Sequence, residues 1–156
     1  MTVSAAVNRN RNIMWHVVEG KWNGETAAGI YKGPLLSALR RAYGTKRQYT
    51  LVEDGDRKGN QSGKGLRAKA EAGYKVHTLP PRTPSLMPLN YPIWHEIEER
   101  MDKSAPKGTE SKLAFLKRLE KIAKSLPRSY IQKTVKRMKA NLKDIIAAKG
   151  WHPKND

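Results

Sequence analysis

The most constraining feature of the sequence is a short apolar strand that ends in carboxylates and is followed, after a loop and a short helix, by a second strand. Residues 49–54 are predicted to form the first strand, residues 66–72 the helix and residues 74–79 the second strand. A strand, a helix and a strand joined by short links favour a parallel crossover unit. The chain is therefore predicted to be an α/β protein. Sheets of this class bind ligands at the carboxyl ends of their strands, so a site is expected where the first strand ends.

The segments before this unit predict a hairpin and a helix. Alternating apolar residues in 3–7 and 13–17 predict two antiparallel strands joined by an Asn-rich turn. Asn23 is predicted to cap a helix that runs to about Tyr43, with a kink or a division into two helices at Gly33-Pro34.

The segments after the unit predict three more helices. Residues 89–101 have helical spacing, Thr109 is predicted to cap the next helix, and Pro127 marks a break before the last one. The apolar stripe of the last helix predicts a helical hairpin that packs on itself or on the preceding domain. That stripe consists of Ile131, Val135, Met138, Leu142 and Ile145.

The charge of the chain points to a polyanionic partner. The 156 residues carry a formal net charge of +17, and 15 of the 31 basic residues lie in 103–156, beside only 4 acidic ones. We therefore predict a body in 1–102 and a basic helical tail in 103–156, with nucleic acid as the partner. The alternative is that the tail is only a solvated helical face. The absence of cysteine excludes thiolate metal sites and disulfides, and no apolar run is long enough to span a membrane.

The acidic cluster at the end of the first strand is the candidate site. Asp54 and Asp56 are predicted metal ligands, because hard divalent cations prefer carboxylate oxygens. Glu53 neighbours Asp54 on a strand, so its side chain is expected to point to the opposite face. The Gly-rich loop 57–65 is interpreted either as a phosphate contact beside Asp54 or as a mobile loop.

A proline-rich segment further along the chain resembles the signature of mariner-like DDE transposases. The matching positions are Pro80, Pro81, Thr83, Pro84, Leu86, Pro88, Tyr91 and Trp94. In that family a catalytic Asp lies about 35 residues before the last acid of the site. Asp54 has that spacing, since 35 residues separate it from Asn90. The resemblance runs from about residue 13 to residue 101.

This resemblance implies an RNase H-like fold in which three carboxylates bind two Mg²⁺ ions for DNA cleavage and strand transfer. Asp54 would be the second acid, and Asn90 takes the place of the third. The implied partner is DNA, and the implied location is the nucleus or the nucleoid. The residues expected to contact DNA are Arg57, Lys58, Lys64, Arg82, Lys133, Lys136, Arg137, Lys139 and Lys143.

Two departures from the family pattern predict a protein that does not cleave DNA by itself. Asn90 brings an amide oxygen but no negative charge, and two neighbouring cations need that charge. The first acid and its strand are missing from the sequence, so the mixed sheet is expected to lack its first strand. That strand would lie between the hairpin and the strand of Leu51. The gap leaves two unpaired edges, which a second copy or a partner chain could complete.

Three hypotheses follow for the whole chain. The first is part of a DDE transposase of a mobile element that binds DNA without efficient cleavage. The second is a non-catalytic nucleic-acid-binding protein that keeps the transposase scaffold. The third is a fragment that does not fold stably.

Overall fold

The computed structural model describes residues 2–8, 12–80, 83 and 86–150, without the side chains of residues 12, 90 and 91. The chain divides into two compact units: Met1–Ala6 with Ile13–Thr83, called unit 1, and Val7–Asn12 with Pro84–Asp156, called unit 2. The chain combines helices with short strands, which confirms the α/β class. The predicted domain boundary between residues 102 and 103 stays a prediction.

The strands form two small sheets. The parallel pairing places Glu53 opposite Thr78, which confirms the predicted crossover unit. Within the described residues the two sheets do not pair with each other. The predicted turn of the hairpin falls on residues 9–11, which lie outside the described residues. The first sheet pairs β1 (Thr2–Val7) with β2 (Asn12–Val18), and the second pairs β3 (Thr50–Glu53) with β4 (Lys75–Thr78).

The first helical segment begins at the predicted cap. Asn23 Oδ1 accepts hydrogen bonds from the backbone N–H groups of Glu25 (2.9 Å) and Thr26 (3.0 Å). Pro34 cannot donate a backbone hydrogen bond, and a wider π-helical turn surrounds it, so the helix continues past the proline. Gly44 ends the segment with a φ of +83°. The segment comprises α1 (Gly24–Ile30), the turn Tyr31–Leu35 and α2 (Leu36–Tyr43).

The crossover helix α3 spans Gly63–Glu71. It begins three residues before the predicted start because Ser62 Oγ accepts a hydrogen bond from the backbone N–H of Gly65 at 3.1 Å and caps the helix there. Helices α1 and α3 contribute the small side chains Ala27 and Ala68, which are 0% and 1% exposed, to the core of unit 1. Small side chains at these positions let α1 and α3 pack closely against each other.

Unit 2 is helical where it is described. Its turn Leu89–Ile93 runs into α4 (Trp94–Lys103), which confirms the predicted helix in this region. The predicted cap at Thr109 is wrong: the next helix, α5 (Lys112–Lys124), is capped by Ser111, whose hydroxyl accepts from the backbone N–H of Ala114 at 3.2 Å. Pro127 lies immediately before α6 (Arg128–Ala147), as predicted.

Arg118 stabilises the link between α4 and α5. Its guanidinium donates to both carboxylate oxygens of Glu110, at 2.9 and 2.7 Å. It also donates to the backbone carbonyl of Met101 at 2.6 Å and to the hydroxyl of Ser104 at 3.1 Å. Bidentate pairing of this kind fixes orientation as well as distance, so the link is held against both helices.

The apolar stripe of α6 is buried only near the start of the helix. Ile131 is 2% exposed, and the hydroxyl of Tyr130 donates to the backbone carbonyl of Pro92 at 2.7 Å. Leu142, further along the stripe, is 42% exposed, and Ile145 is half-buried. The packing of the last two helices on each other stays a prediction. In the described part of the chain no helix is both long and apolar enough to cross a bilayer.

Candidate functional site

Asp54 follows the last residue of β3 and is exposed, at the end of the parallel strand pair where a ligand was expected. Immediately beyond the strand, the backbone N–H of Leu79 donates to the carbonyl of Glu53 at 2.8 Å, which extends the pairing of β3 with the segment after β4. Within the described residues, the carboxylate of Asp54 receives one side-chain hydrogen bond, from Asn60 Nδ2 at 2.7 Å. The side chain is therefore held by a rigid strand but remains open to solvent.

Glu53 points away from Asp54 into the interior, as its place on the strand predicts. It is 8% exposed and forms an ion pair with Lys69, which is 2% exposed. Its carboxylate also accepts hydrogen bonds from the hydroxyl of Tyr31 at 2.6 Å and from Gln61 Nε2 at 3.1 Å. A buried charge pair is tolerated when further hydrogen bonds satisfy its remaining lone pairs, and that condition is met here.

The hydroxyl of Tyr31 connects this buried pair to the loop. It lies 2.6 Å from Glu53 Oε2 and 2.9 Å from Asn60 Oδ1. Burial, reinforced by the hydrogen bond to Glu53 and by the negative charges of Glu53, Asp54 and Asp56, raises the pKa of Tyr31 well above its ordinary value. The phenol therefore keeps its proton throughout the neutral range.

Asp56 organises the loop that follows β3. Its Oδ2 accepts from the indole N–H of Trp22 at 2.6 Å and from the backbone N–H of Gly59 at 2.8 Å. Oδ1 accepts from the backbone N–H of Lys58 at 3.2 Å. Partial burial raises the pKa of Asp56, but the hydrogen bonds from Trp22 and from the backbone outweigh it and hold the pKa below its ordinary value. The predicted role of Asp56 as a metal ligand stays a prediction, and its Oδ2 already accepts from three donors, the third being the backbone N–H of Asn60 at 3.4 Å.

The loop packs closely against its surroundings. Lys69 Nζ donates to the backbone carbonyl of Asn60 at 2.8 Å, and the hydroxyl of Ser62 donates to the carbonyl of Gly59 at 2.7 Å. A Cβ atom at Gly59 would overlap the indole ring of Trp22, so this glycine is required for packing. These contacts support an ordered loop over the alternative of a mobile one.

The cationic residues predicted to contact DNA fall in both units. Arg57 and Lys58 are exposed in the loop, and Lys64 is exposed and ion-paired with Glu25. The side chain of Asn90 and the whole of Arg82 lie outside the described residues, although the backbone of residue 90 belongs to the turn Leu89–Ile93. The five residues of α6 that were predicted to contact DNA are exposed: Lys133, Lys136, Arg137, Lys139 and Lys143.

Among the described residues, the acids at the end of β3 are not equally available to a metal ion. No group of three or more His, Asp or Glu side chains converges in the described part of the chain. Glu53 is committed to Lys69, and Asp56 to Trp22 and the loop backbone. Of these three acids, Asp54 presents its carboxylate to solvent, and a single Mg²⁺ needs only one or two carboxylates when water and phosphate supply its other ligands.

Sequence reasoning identified Asp54 and missed most of its supporting residues. The sequence analysis did not single out Lys69, Tyr31, Gln61, Asn60 or Trp22. A lysine in the middle of the crossover helix is one available signal, because a lysine that faces the sheet must find a carboxylate. Tyr31 and Trp22 reach the acidic cluster across 22 and 34 positions of sequence, which no local pattern reveals. Asn60 and Gln61 lie only 6 and 8 positions from their partners, and their roles depend on the conformation of the loop.

Asp56→Asn is expected to lower the free energy of unfolding by about 1–2 kcal/mol at pH 7, because charge-assisted hydrogen bonds to Trp22 and the loop are weakened. A carboxyl whose pKa is lowered by folding stabilises the protein above its ordinary pKa and loses this effect as the pH falls through the folded value. The difference from wild type should therefore shrink below about pH 4. Urea unfolding at pH 7 and at pH 3.5 measures it. Glu19→Gln, at an exposed acid of the same unit, is the control; equal losses in both variants would contradict the assignment.

Several solved structures have a fold similar to that of this chain. The catalytic domain of Mos1 transposase, solved with raltegravir and manganese, has a TM-score of 0.81 over 96% of this chain and 76% of that chain, at 12% identity. The catalytic domain of Mos1 mariner transposase gives a TM-score of 0.82 over 96% and 74%, also at 12% identity. The Mos1 mariner paired end complex with manganese gives 0.78, at 12% identity, and matches 92% of this chain and 42% of that one.

These matches confirm, at the level of the fold, the resemblance to mariner-like transposases. The chain has the fold of the mariner transposase catalytic domain over nearly its whole length. No protein-family model matches the sequence, and no curated protein matches it.

Proposed function

On the premise of that shared fold, we propose that the chain is a transposase-like DNA-binding protein whose described residues do not complete a cleavage site. The observation that carries the proposal is the placement of Asp54 at the end of β3 with an open carboxylate, while its neighbours Glu53 and Asp56 are engaged in internal bonds. This is the position at which sheets of this class bind their ligands. The activity that such an incomplete site would not support is the DNA cleavage and strand transfer of transposition.

The finer architecture that we propose is an RNase H-like sheet without its first strand, followed by a basic helical hairpin. Support comes from the two separate two-stranded sheets of unit 1 and from Val52, which is 43% exposed on β3. An open strand edge is a template for pairing with another strand. A strand from outside these 156 residues, from a second copy or from a partner chain would join the two sheets and bring the first acid of the site.

Incomplete metal binding is the physical reason for the proposed lack of cleavage. Two metal ions stabilise the attacking and the leaving oxygens during phosphodiester cleavage, and their mutual repulsion must be offset by several carboxylates. Asp54 supplies one carboxylate, and Asn90 supplies none at the third position of the family pattern. Solved neighbours carry manganese or magnesium, which supports a divalent cation as the relevant class of cofactor.

DNA is the proposed partner, and the nucleus or the nucleoid the proposed location. One structural neighbour is a paired end complex. In addition, α6 of this chain has a basic face opposite its apolar residues. Steps of 100° per residue place Lys133, Lys136, Arg137, Lys139 and Lys143 within an arc of roughly 160°, opposite Ile131 and Met138. In the described part of the chain none of the five forms an ion pair with an acidic residue. This basic face also favours the alternative function, a non-catalytic nucleic-acid-binding protein derived from a transposase scaffold.

A nicking assay on supercoiled plasmid with Mg²⁺ or Mn²⁺ tests the proposed lack of cleavage. We expect the wild type to bind DNA with strong salt dependence and to leave the plasmid intact, like Asp54→Ala. Metal-dependent nicking that Asp54→Ala abolishes would contradict the proposed inactivity and establish an enzyme. Absence of DNA binding at 50 mM salt would contradict the proposed function as a whole.

A further inference from the structure

A continuous polar array runs from the buried ion pair to the exposed Asp54. Glu53 Oε2 lies 2.6 Å from the hydroxyl of Tyr31, which lies 2.9 Å from Asn60 Oδ1. At the other end of the same amide, Asn60 Nδ2 lies 2.7 Å from Asp54 Oδ1. Three hydrogen-bond distances therefore connect an interior carboxylate to the carboxylate at the candidate site.

The array has one hydrogen too few. A tyrosine hydroxyl carries a single hydrogen, yet Tyr31 lies between two acceptors, Glu53 Oε2 and Asn60 Oδ1. The contact with Glu53 is shorter and involves a charged acceptor, so the hydrogen belongs there. Asn60 Oδ1 then faces the lone pairs of the phenol oxygen at 2.9 Å with no hydrogen between them.

Reversal of the Asn60 amide relieves this conflict and creates another one. The amide has nearly the same shape in both orientations, so Nδ2 and Oδ1 can exchange places by rotation about χ2. Nδ2 then donates to the phenol oxygen of Tyr31, and the Tyr31–Glu53 bond is unaffected. Oδ1 now faces Asp54 Oδ1 at about the 2.7 Å that separated Nδ2 from it. Two oxygens at that distance repel each other unless a proton or a cation lies beside both.

The resulting pair of oxygens fits a hard divalent cation. Mg²⁺ binds oxygen at about 2.0–2.1 Å in an octahedron, which places neighbouring ligand oxygens about 2.9 Å apart. Asn60 Oδ1 and Asp54 Oδ1 would have nearly this spacing, and Asp54 supplies the negative charge. The positive charge of the cation also offsets the repulsion between Asn60 Oδ1 and Asp54 Oδ1 in the reversed orientation.

We propose that Asn60 is the second protein ligand, beside Asp54, of a single Mg²⁺ or Mn²⁺ ion, and that its side-chain amide reverses when the ion binds. Without the ion the amide N–H₂ donates to Asp54 and holds the carboxylate in place. With the ion the amide carbonyl becomes a ligand, and Tyr31 and Glu53 stabilise the reversed amide from the interior. The inference rests on the proposed function only in the assignment of Asp54 to the site.

The test is a titration with Mn²⁺ alone, followed by electron paramagnetic resonance, on the full chain without DNA. We expect Asn60→Ala to weaken Mn²⁺ binding by about ten-fold or more, as loss of a ligand or of its support does. Tyr31→Phe removes the acceptor of the reversed amide without touching the ion, and it should weaken binding several-fold. Wild-type affinity in both variants would overturn the proposal.

A second variant keeps the test valid where Asn60→Ala folds poorly. Asn60→Asp has nearly the same shape and presents an oxygen to the ion without reversal, so it should bind Mn²⁺ more tightly than wild type. Asn23→Asp adds the same charge to the same unit and preserves a good helix cap, and it should leave the affinity unchanged. Equal tightening by both variants would show a general effect of charge and overturn the proposal.

The reversal itself is visible by nuclear magnetic resonance. The side-chain ¹⁵N–¹H₂ resonances of Asn60 should shift on addition of Mg²⁺ in wild type and stay in place in Asp54→Ala. Unshifted resonances in wild type at saturating Mg²⁺ would overturn the reversal. DNA binding measured in the presence of a chelator tests the proposed function separately, so the two ideas can fail independently.

Discussion

Lys69→Met is expected to lower the free energy of unfolding by about 3–5 kcal/mol, the largest effect on stability that we expect from a single substitution in this chain. The substitution removes the cationic partner of Glu53 and leaves a carboxylate buried at 8% exposure. Removal of one member of a buried ion pair costs this much because the remaining charge is desolvated without compensation. Tyr31 and Gln61 still donate to Glu53, which favours the lower end of the range. Urea unfolding followed by circular dichroism measures the change.

The matched control is Lys32→Met, which breaks the ion pair of Lys32 with Glu71. Both partners of that pair are about half exposed, so the urea midpoint should scarcely move. The double variant Glu53→Gln, Lys69→Met should be more stable than Lys69→Met, because a neutral amide replaces the stranded carboxylate. Equal midpoints for Lys69→Met and Lys32→Met would show that the buried pair contributes nothing.

Neutralisation of the basic face of α6 is expected to give the largest effect on DNA affinity. The five residues are Lys133, Lys136, Arg137, Lys139 and Lys143, each replaced by Gln. Each phosphate contact that is lost lowers the slope of log K against log salt by about 0.9 and the affinity near 0.1 M salt roughly eight-fold. If three to five of the residues contact phosphate, affinity should fall by roughly 500-fold to 30,000-fold. Fluorescence anisotropy with labelled duplex DNA at several salt concentrations provides both quantities.

A second charge-matched variant separates the effect of α6 from that of net charge. Replacement of five exposed cations of unit 1 by Gln changes the net charge by the same amount: Lys21, Arg41, Lys46, Arg47 and Lys75. We expect this variant to lose far less affinity and to keep most of the salt slope. Similar losses in both variants would mean that binding follows overall charge, and the α6 assignment would then be wrong.

Local features of the structure could be predicted from the sequence because nearby residues determine them. The cap at Asn23, the end of α2 at Gly44 and the boundary at Pro127 each depend on one side chain and the backbone next to it. The parallel pairing of β3 and β4 followed from element order alone. Asp54 could be placed at a strand end for the same reason.

Other features could not be predicted because they depend on competition or on distant contacts. Thr109 and Ser111 are both residue types that cap helices and lie two positions apart, so the sequence alone does not decide between them; in the structure Ser111 caps α5. The ion pair of Lys69 with Glu53 joins residues 16 positions apart, and the bond of Asn60 to Asp54 depends on the conformation of the loop between them. Spacing along the chain encodes neither contact. The sequence therefore predicted the position of the exposed Asp54, but not the contacts of Asn60 and Lys69 that support the cluster.

The burial of the Glu53–Lys69 pair has a practical consequence for isolating the protein. At 1 M salt the electrostatic screening length is about 3 Å, so dissolved ions weaken contacts at the solvent boundary but do not reach a pair enclosed by Tyr31, Gln61 and the Asn60 carbonyl. Sodium chloride concentrated enough to strip co-purifying nucleic acid should therefore leave unit 1 folded. Preparations washed in this way would begin every binding experiment free of competitor.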